Sequence, residues 1–310
     1  MEKNYFPGIP PSITPQIVSQ IGEFKIIQNY RGQGARTSVW RVETDGKYFI
    51  VKLHHRKEKW HPEVYAYSQW TEAYAPYAPT LVGILEHDDT QGMVITEIQG
   101  IPLRDKELTD TIRAEVYFQA GKLAGKLHQN RSGEWFGRPD QNGLPLNDRI
   151  DDPVIAMKNN FLRWYTKALD FRCLDKAEIA LGEWALANIH IFADEVPLPI
   201  NEDYTPGNWL VDQQGKLVGI IDFECMEWGL RMDSFALLWE RYFPQNVLFE
   251  EAFWSGYGID LKRVYPLKVF IVCLKIGIAE ISLGVEYNNE RNINMGRNLI
   301  KSVAKEIATS

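Results

Sequence analysis

Hydrophobic positions change their spacing partway along the chain. Between residues 24 and 98 they gather in short β-branched and aromatic runs: FKIIQNY, TSVWRVE, KYFIVKL, LVGILEH and GMVITEI. Turn-forming segments separate these runs, among them RGQGAR and TDGK. Such runs between glycine turns predict antiparallel strands, with residues 24–53 as a meander. A helix is expected to open at His61-Pro62-Glu63 and to run to about residue 74, and TPQIVSQIGEF predicts a short helix capped by Thr14 before the strands.

From about residue 108 the apolar residues recur at helical spacing. AEVYFQAGKLAGKLHQ, VIAMKNNFLRWYTKAL, KAEIALGEWALANIHIF, SFALLWERYF, the segment 266–286 and NLIKSVAKEIA all read as helices. One hairpin, about 208–221, interrupts them. The fold class is therefore α+β: a β-rich lobe over residues 1–97 and a larger helical lobe over 98–310. No internal repeat or low-complexity segment is visible.

Composition narrows the functional classes. A formal charge of −7 argues against nucleic-acid binding, which calls for a basic stripe. The segment VFIVCLKIGIAEISLGV carries Lys275 and Glu280 and is short for a bilayer crossing. It reads as a buried helix, so no membrane is expected. Cys173, Cys225 and Cys273 are far apart and odd in number, which fits free thiols in a cytoplasmic protein. The MEKNYFPGIPPSITP start has no apolar core of a signal peptide. His54 and His55 read as solvated loop histidines.

Candidate chemistry lies in two stretches. Gly32 and Gly34 sit at a strand-to-strand turn, not at the strand-to-helix junction of a dinucleotide fingerprint. Glycines there let backbone N–H groups approach phosphate oxygens, with Arg36, Thr37 and Ser38 as added donors. A plain β-turn explains the same residues. Lys52 follows in a strand, either as a solvated outer-face residue or as a phosphate-binding charge held by a carboxylate. Glu63 is the candidate partner, and Glu58 and Glu72 compete for that role. Glu63 also has a plainer use, compensating the dipole at a helix N-terminus.

The second stretch is NEDYTPGNWLVDQQGKLVGIIDFE, residues 201–224. Pro206-Gly207 forces a turn between Asp203 and Asn208, and hairpin pairing should make Asn208 and Asp222 neighbours. Carboxylate and amide oxygens suit Mg²⁺, which keeps waters and takes phosphate oxygens. Asp203 is placed to accept a proton from an incoming hydroxyl. Polar punctuation of a hairpin accounts for any one of the three, but poorly for all together with the glycine turn and Lys52 in this order.

That order resembles the motif set of the protein-kinase fold. In detail YTPGNWLVDQQGKLVGIIDFE resembles the aminoglycoside phosphotransferases and the related choline, homoserine and fructosamine kinases. WGLRMDSFAL resembles the family's segment after the metal-binding aspartate, and LAGKLHQN its helix ending in Leu-His. The resemblance implies a bilobal kinase-like fold with ATP, or alternatively GTP, and Mg²⁺. It implies Asp203 as catalytic aspartate, Asn208 and Asp222 as metal ligands, Lys52 as phosphate lysine and Glu63 as its partner. Adenine would meet backbone groups at Thr96, Glu97 and Ile98, and Asp233 would brace the catalytic loop. The chain departs from the family in Asn201-Glu202, where His-Gly is usual, and in Leu230, where Asp follows the Trp-Gly.

The acceptor would be a small molecule bearing a hydroxyl. Residues 223–260 hold seven acidic against two basic residues, which suits a cationic acceptor such as an amino alcohol, aminoglycoside or guanidino compound. Solvated helix faces explain the same excess. Glu224, Glu227 and Trp228 are the candidate acceptor contacts. The aromatics of this stretch, Trp239 to Tyr257, read as core. A different class of reading is a nucleotide-binding pseudokinase, motivated by Asn201-Glu202. A protein kinase is disfavoured, since no A-P-E segment follows Asp222. Oligomeric state is not legible.

Overall fold

The structure is a computed structural model that describes residues 8–30, 37–129 and 131–309. Its chain forms two compact units. The first comprises the described residues up to Lys106 with Arg138–Leu146 and Pro206–Met226, and the second comprises Glu107–Gly137, Asn147–Thr205 and the residues from Glu227 onward.

In the first unit, α1 (Thr14–Ile21) precedes β1 (Lys25–Tyr30), β2 (Thr37–Thr44) and β3 (Lys47–His54). Helix α2 (Lys57–Gln69) follows, then β4 (Leu81–His87) and β5 (Thr90–Thr96). The five strands form one antiparallel sheet in the order β1-β2-β3-β5-β4. The meander expected over residues 24–53 is present, and β5 then inserts between β3 and β4. Asp45 and Gly46 turn the β2–β3 hairpin with φ of 49° and 74°, the backbone a two-residue turn demands. Strand β2 alternates, burying Ser38, Trp40, Val42 and Thr44. Trp40 and Val42 join Val51, Leu53, Leu85 and Val94 in a core closed by Ile17 of α1 and by Ile13 just before it.

Three details depart from the sequence pattern. Helix α1 has no side-chain cap; the Thr14 hydroxyl donates to Pro10 O instead. Helix α2 starts at Lys57 rather than His61, because Trp60 is buried in the added turn and its indole N–H donates to Gly92 O at 2.9 Å. Strand β3 continues through His54, which is buried rather than a solvated loop residue.

The first unit also holds the late hairpin, Trp209–Val211 against Leu217–Ile220, with Ile101–Pro102 as a third strand. Asp212 shapes its turn: Oδ1 accepts from the Gln214 and Lys216 N–H groups, and Gly215 takes φ of 82°.

The second unit is mostly helical. Its helices are α3 (Asp110–Gln129), α4 (Pro153–Asp170), α5 (Lys176–Asn188), α6 (Val247–Tyr257), α7 (Leu261–Val264), α8 (Pro266–Glu286) and α9 (Glu290–Thr309). SFALLWERYF is not one helix. It divides into short 3₁₀ and π segments, because Phe235, Trp239 and Phe243 all turn into one aromatic cluster and Pro244 stops the run. Glycines let helix backbones touch: a Cβ at Gly121 of α3 would lie 2.1 Å from the Phe253 carbonyl oxygen of α6. Helix α8 is buried, as expected, and its internal charges are all paired: Lys268 with Asp194 and Glu195, Lys275 with Asp233, Glu280 with Arg241. No helix among the described residues is long and apolar enough to cross a membrane.

Candidate active site

Lys52 is the centre of the first unit's charge cluster. Alternation along β3 turns Val51 and Leu53 to the core closed by α1, and Lys52 and His54 to the opposite face. Helix α2 brings Glu63 there. The Lys52 ammonium lies 2.9 Å from Glu63, 2.8 Å from Asp222 Oδ1 and 3.6 Å from Glu224. Burial alone would push this lysine down, but Asp222, Glu63 and Glu224 outweigh it and hold it well above the ordinary range. Burial would likewise raise Glu63, yet the Lys52 charge and the His54 hydrogen bond bring it down to about 2. The competing carboxylates are elsewhere: Glu58 is exposed beside Arg56, and Glu72 is exposed.

Asp222 follows the second hairpin strand. It takes φ of 65°, a left-handed conformation uncommon for a residue with a Cβ. Phe223 holds it there: the ring is fully buried, edge-on to Tyr67 at 5.2 Å and stacked on Tyr74 at 5.8 Å. Asn208 is tied to the same place, since its carbonyl accepts from the Ile221 N–H at 3.0 Å. Asn208 and Asp222 are thus backbone neighbours, as hairpin pairing requires.

Other residues of the first unit have internal duties. The Thr96 N–H donates to Thr80 O and the Glu97 N–H to Tyr48 O. The Glu97 carboxylate holds Arg41 at 2.8 Å. Ile98 packs where a Cβ on Gly219 would fall, 2.7 Å away. Thr37 opens β2, and the Ser38 hydroxyl lies 3.1 Å from His55 Nε2. Gly32, Gly34 and Arg36 lie outside the described residues.

Asp203 belongs to the second unit. Strand Leu198–Asn201 is buried throughout and leads into its loop. Asn201 Oδ1 accepts from the Asp203 N–H at 2.9 Å, and the Thr205 hydroxyl donates to Asp203 Oδ1 at 3.2 Å. The Tyr204 hydroxyl anchors the loop on Ala120 O. His128 braces it from behind. Its Nδ1 pairs with the Tyr257 hydroxyl at 2.9 Å, and the ring hydrogen-bonds the Pro199 backbone. Burial, with the Arg231 charge, lowers this histidine to about 3, so it is neutral. Asp233 is buried and pairs with Lys275 at 2.5 Å. Burial raises its carboxyl despite that lysine, and Glu202 and Glu195 add to the rise.

The three candidate acceptor contacts fall in different settings. Glu224 belongs to the Lys52 cluster. Glu227 is half-buried in the second unit. Trp228 is buried, with its ring where a Cβ on Gly133 would be 2.7 Å away. The aromatics read as core are core: Phe235 meets Trp239, Phe253, Trp254 and Tyr257 edge to face.

Two histidines carry more than sequence reasoning gave them. His128 was visible only as the end of a Leu-His helix. His54 was discounted, although its position two residues after Lys52 in a strand puts both on one face.

The profile of the phosphotransferase enzyme family (APH) matches residues 29–267. A search of curated protein sequences finds no match. Solved structures share the fold. A thermostable mutant of aminoglycoside phosphotransferase APH(4)-Ia, in ternary complex with AMP-PNP and hygromycin B, aligns over 96% of this chain and 100% of its own, with TM-score 0.70 and 16% identity. The GDP and kanamycin complex of APH(2")-IIia aligns over 94% and 98%, with TM-score 0.66 and 17% identity. A putative aminoglycoside phosphotransferase from Ralstonia eutropha aligns over 95% and 98%, with TM-score 0.65 and 10% identity.

Proposed function

The chain belongs to the phosphotransferase enzyme family, and from that premise we propose that it is a cytoplasmic ATP-dependent kinase of a small molecule bearing a hydroxyl. The observation that carries this reading is the Lys52 cluster. Three carboxylates, Glu63, Asp222 and Glu224, share one ammonium. Such an excess of acid suits a group that receives a further cation.

Residues 1–97 then act as the nucleotide-binding lobe and residues 98–310 as the catalytic and acceptor-binding lobe. The donor set fits a hard dication: Asp222 is half-exposed, and Asn208 beside it offers an amide oxygen. When bound, Mg²⁺ would screen the charge on the triphosphate. Lys52, steadied by Glu63, holds phosphate oxygens. Gly32, Gly34, Arg36, Thr37 and Ser38 are the further residues we assign to phosphate binding. Thr96, Glu97 and Ile98 meet the base.

Asp203 accepts the proton of the acceptor hydroxyl and orients its oxygen for in-line attack on the γ-phosphorus. That oxygen bonds to phosphorus as the bond to the ADP oxygen breaks. Asn201 does the loop-fixing work expected of the family's histidine, since its side chain accepts from the Asp203 N–H. This hydrogen bond weighs against the pseudokinase reading. The excess of acid in residues 223–260 favours a cationic acceptor, and hygromycin B and kanamycin are the ligands of two structural neighbours. Glu227 is the residue we assign to its recognition.

The test is ATP consumption with a panel of amino alcohols, aminoglycosides and guanidino compounds. We expect acceptor-dependent ADP release that Asp203→Ala almost completely removes with ADP binding retained. Nucleotide binding with no turnover on any acceptor would instead favour a pseudokinase.

A further inference from the structure

Glu63 is a fully buried carboxylate, and Lys52 does not account for all of it. His54 Nε2 lies 2.8 Å from Glu63 Oε2, and the His54 side chain is itself fully buried. His54 Nε2 is the ring nitrogen that faces the carboxylate, and an ionised carboxylate can only accept from it.

Lys52 is pulled in three directions by Glu63, Asp222 and Glu224. Its ammonium therefore rests where the three attractions balance. A nucleotide that engages Asp222 removes one of them. The ammonium stays in place only if Glu63 cannot follow. Glu63 lies on α2 and Lys52 on β3, so the carboxylate rotamer is the weak link. His54, whose Nε2 touches Glu63 Oε2 from the same face of the same strand as Lys52, closes it.

We propose that His54 is a positioning residue for nucleotide phosphates, acting through Glu63 on Lys52. The inference rests on the nucleotide-binding reading above. A metal is the other occupant that His54, Glu63 and Glu224 suggest, since their ligand atoms lie within 4.8 Å of one another. The Lys52 ammonium already stands 2.9 Å from Glu63 and 3.6 Å from Glu224, and so takes the cation's place.

The test compares wild type, His54→Leu and His54→Gln in the full chain. Dissociation constants for AMP-PNP and adenosine, both with Mg²⁺ present, are measured by calorimetry, and folding is followed by melting without nucleotide. His54→Leu should weaken AMP-PNP about tenfold, the order of one polar contact to a charged group, and leave adenosine unchanged. His54→Gln, which keeps a side-chain N–H donor, should restore most of the AMP-PNP affinity. Should the leucine variant fail to fold, His54→Asn carries the same comparison, because its shorter side chain withdraws the donor from Glu63. Equal AMP-PNP binding in wild type and in the folded variant would overturn the role of His54. So would equal weakening of AMP-PNP and adenosine, which marks a merely structural residue. Wild type that binds no AMP-PNP would overturn the nucleotide reading together with the inference.

Discussion

Both units contain lysines buried against acid, Lys52 in the first and Lys268 and Lys275 in the second, and Lys52 and Lys275 are paired differently. Lys275 faces one carboxylate, Asp233, and the side chains are 3% and 4% exposed. Lys52 faces three, and one of them, Asp222, is 38% exposed. The first arrangement is closed: one positive and one negative charge, both out of water. The second is open, with more acid than base and a carboxylate that reaches solvent. Stoichiometry and exposure, more than burial, separate these two lysines, and Lys268, buried against Asp194 and Glu195, stands between them.

Breaking each arrangement should therefore read out differently. The largest effect is expected on chemistry: Asp203→Ala should lower turnover about 10²–10⁴-fold, the usual contribution of a general base, with melting little changed. Steady-state ADP release checks this. Lys275→Met should act on folding instead. Stranding the Asp233 charge should cost about 3–5 kcal/mol, and replacing both partners by apolar residues should recover much of it; urea denaturation of the single and double variants decides.

Acid sharpens the comparison further. The folded-state value of His128 is about 3, below the ordinary 6.5. Its contribution is complete above pH 6.5 and is lost as pH falls towards 3. Glu63 is held at about 2 against an ordinary 4.5, so its contribution is complete above pH 4.5 and lost towards pH 2. Asp233 and Glu240 are raised and work in the opposite sense, so paired differences are the proper measure. The stability gap between wild type and His128→Gln should narrow from pH 6.5 downward, and that for Glu63→Gln only below pH 4.5. The smallest effect is expected for Glu224→Gln, which removes surplus charge from the Lys52 cluster. Its melting temperature should stay level or rise.

The sequence made some of this plain. Short β-branched runs with TDGK between them specified the β2–β3 hairpin, because only a turn with two left-handed residues closes it. The Lys52–Glu63 pair and the closeness of Asn208 to Asp222 were legible, the first from strand-then-helix order and the second from hairpin pairing. His54 was not. A doubled histidine looks like loop until β3 is seen to run through it. The segment after Asp233 was misread as a helix, since periodicity does not register an aromatic cluster that draws Phe235, Trp239 and Phe243 to one point. His128 was seen but unexplained, because its partners Tyr257 and Pro199 are remote in sequence.

The central claim is that the open carboxylates beside Lys52 receive a metal–nucleotide complex. It is tested most directly by calorimetric titration of AMP-PNP into wild type and Asp222→Asn, with and without Mg²⁺. Binding that is strong in wild type only with Mg²⁺, and that loses this dependence in Asp222→Asn, is the expected result. Affinity indifferent to Mg²⁺ in both proteins would contradict the account.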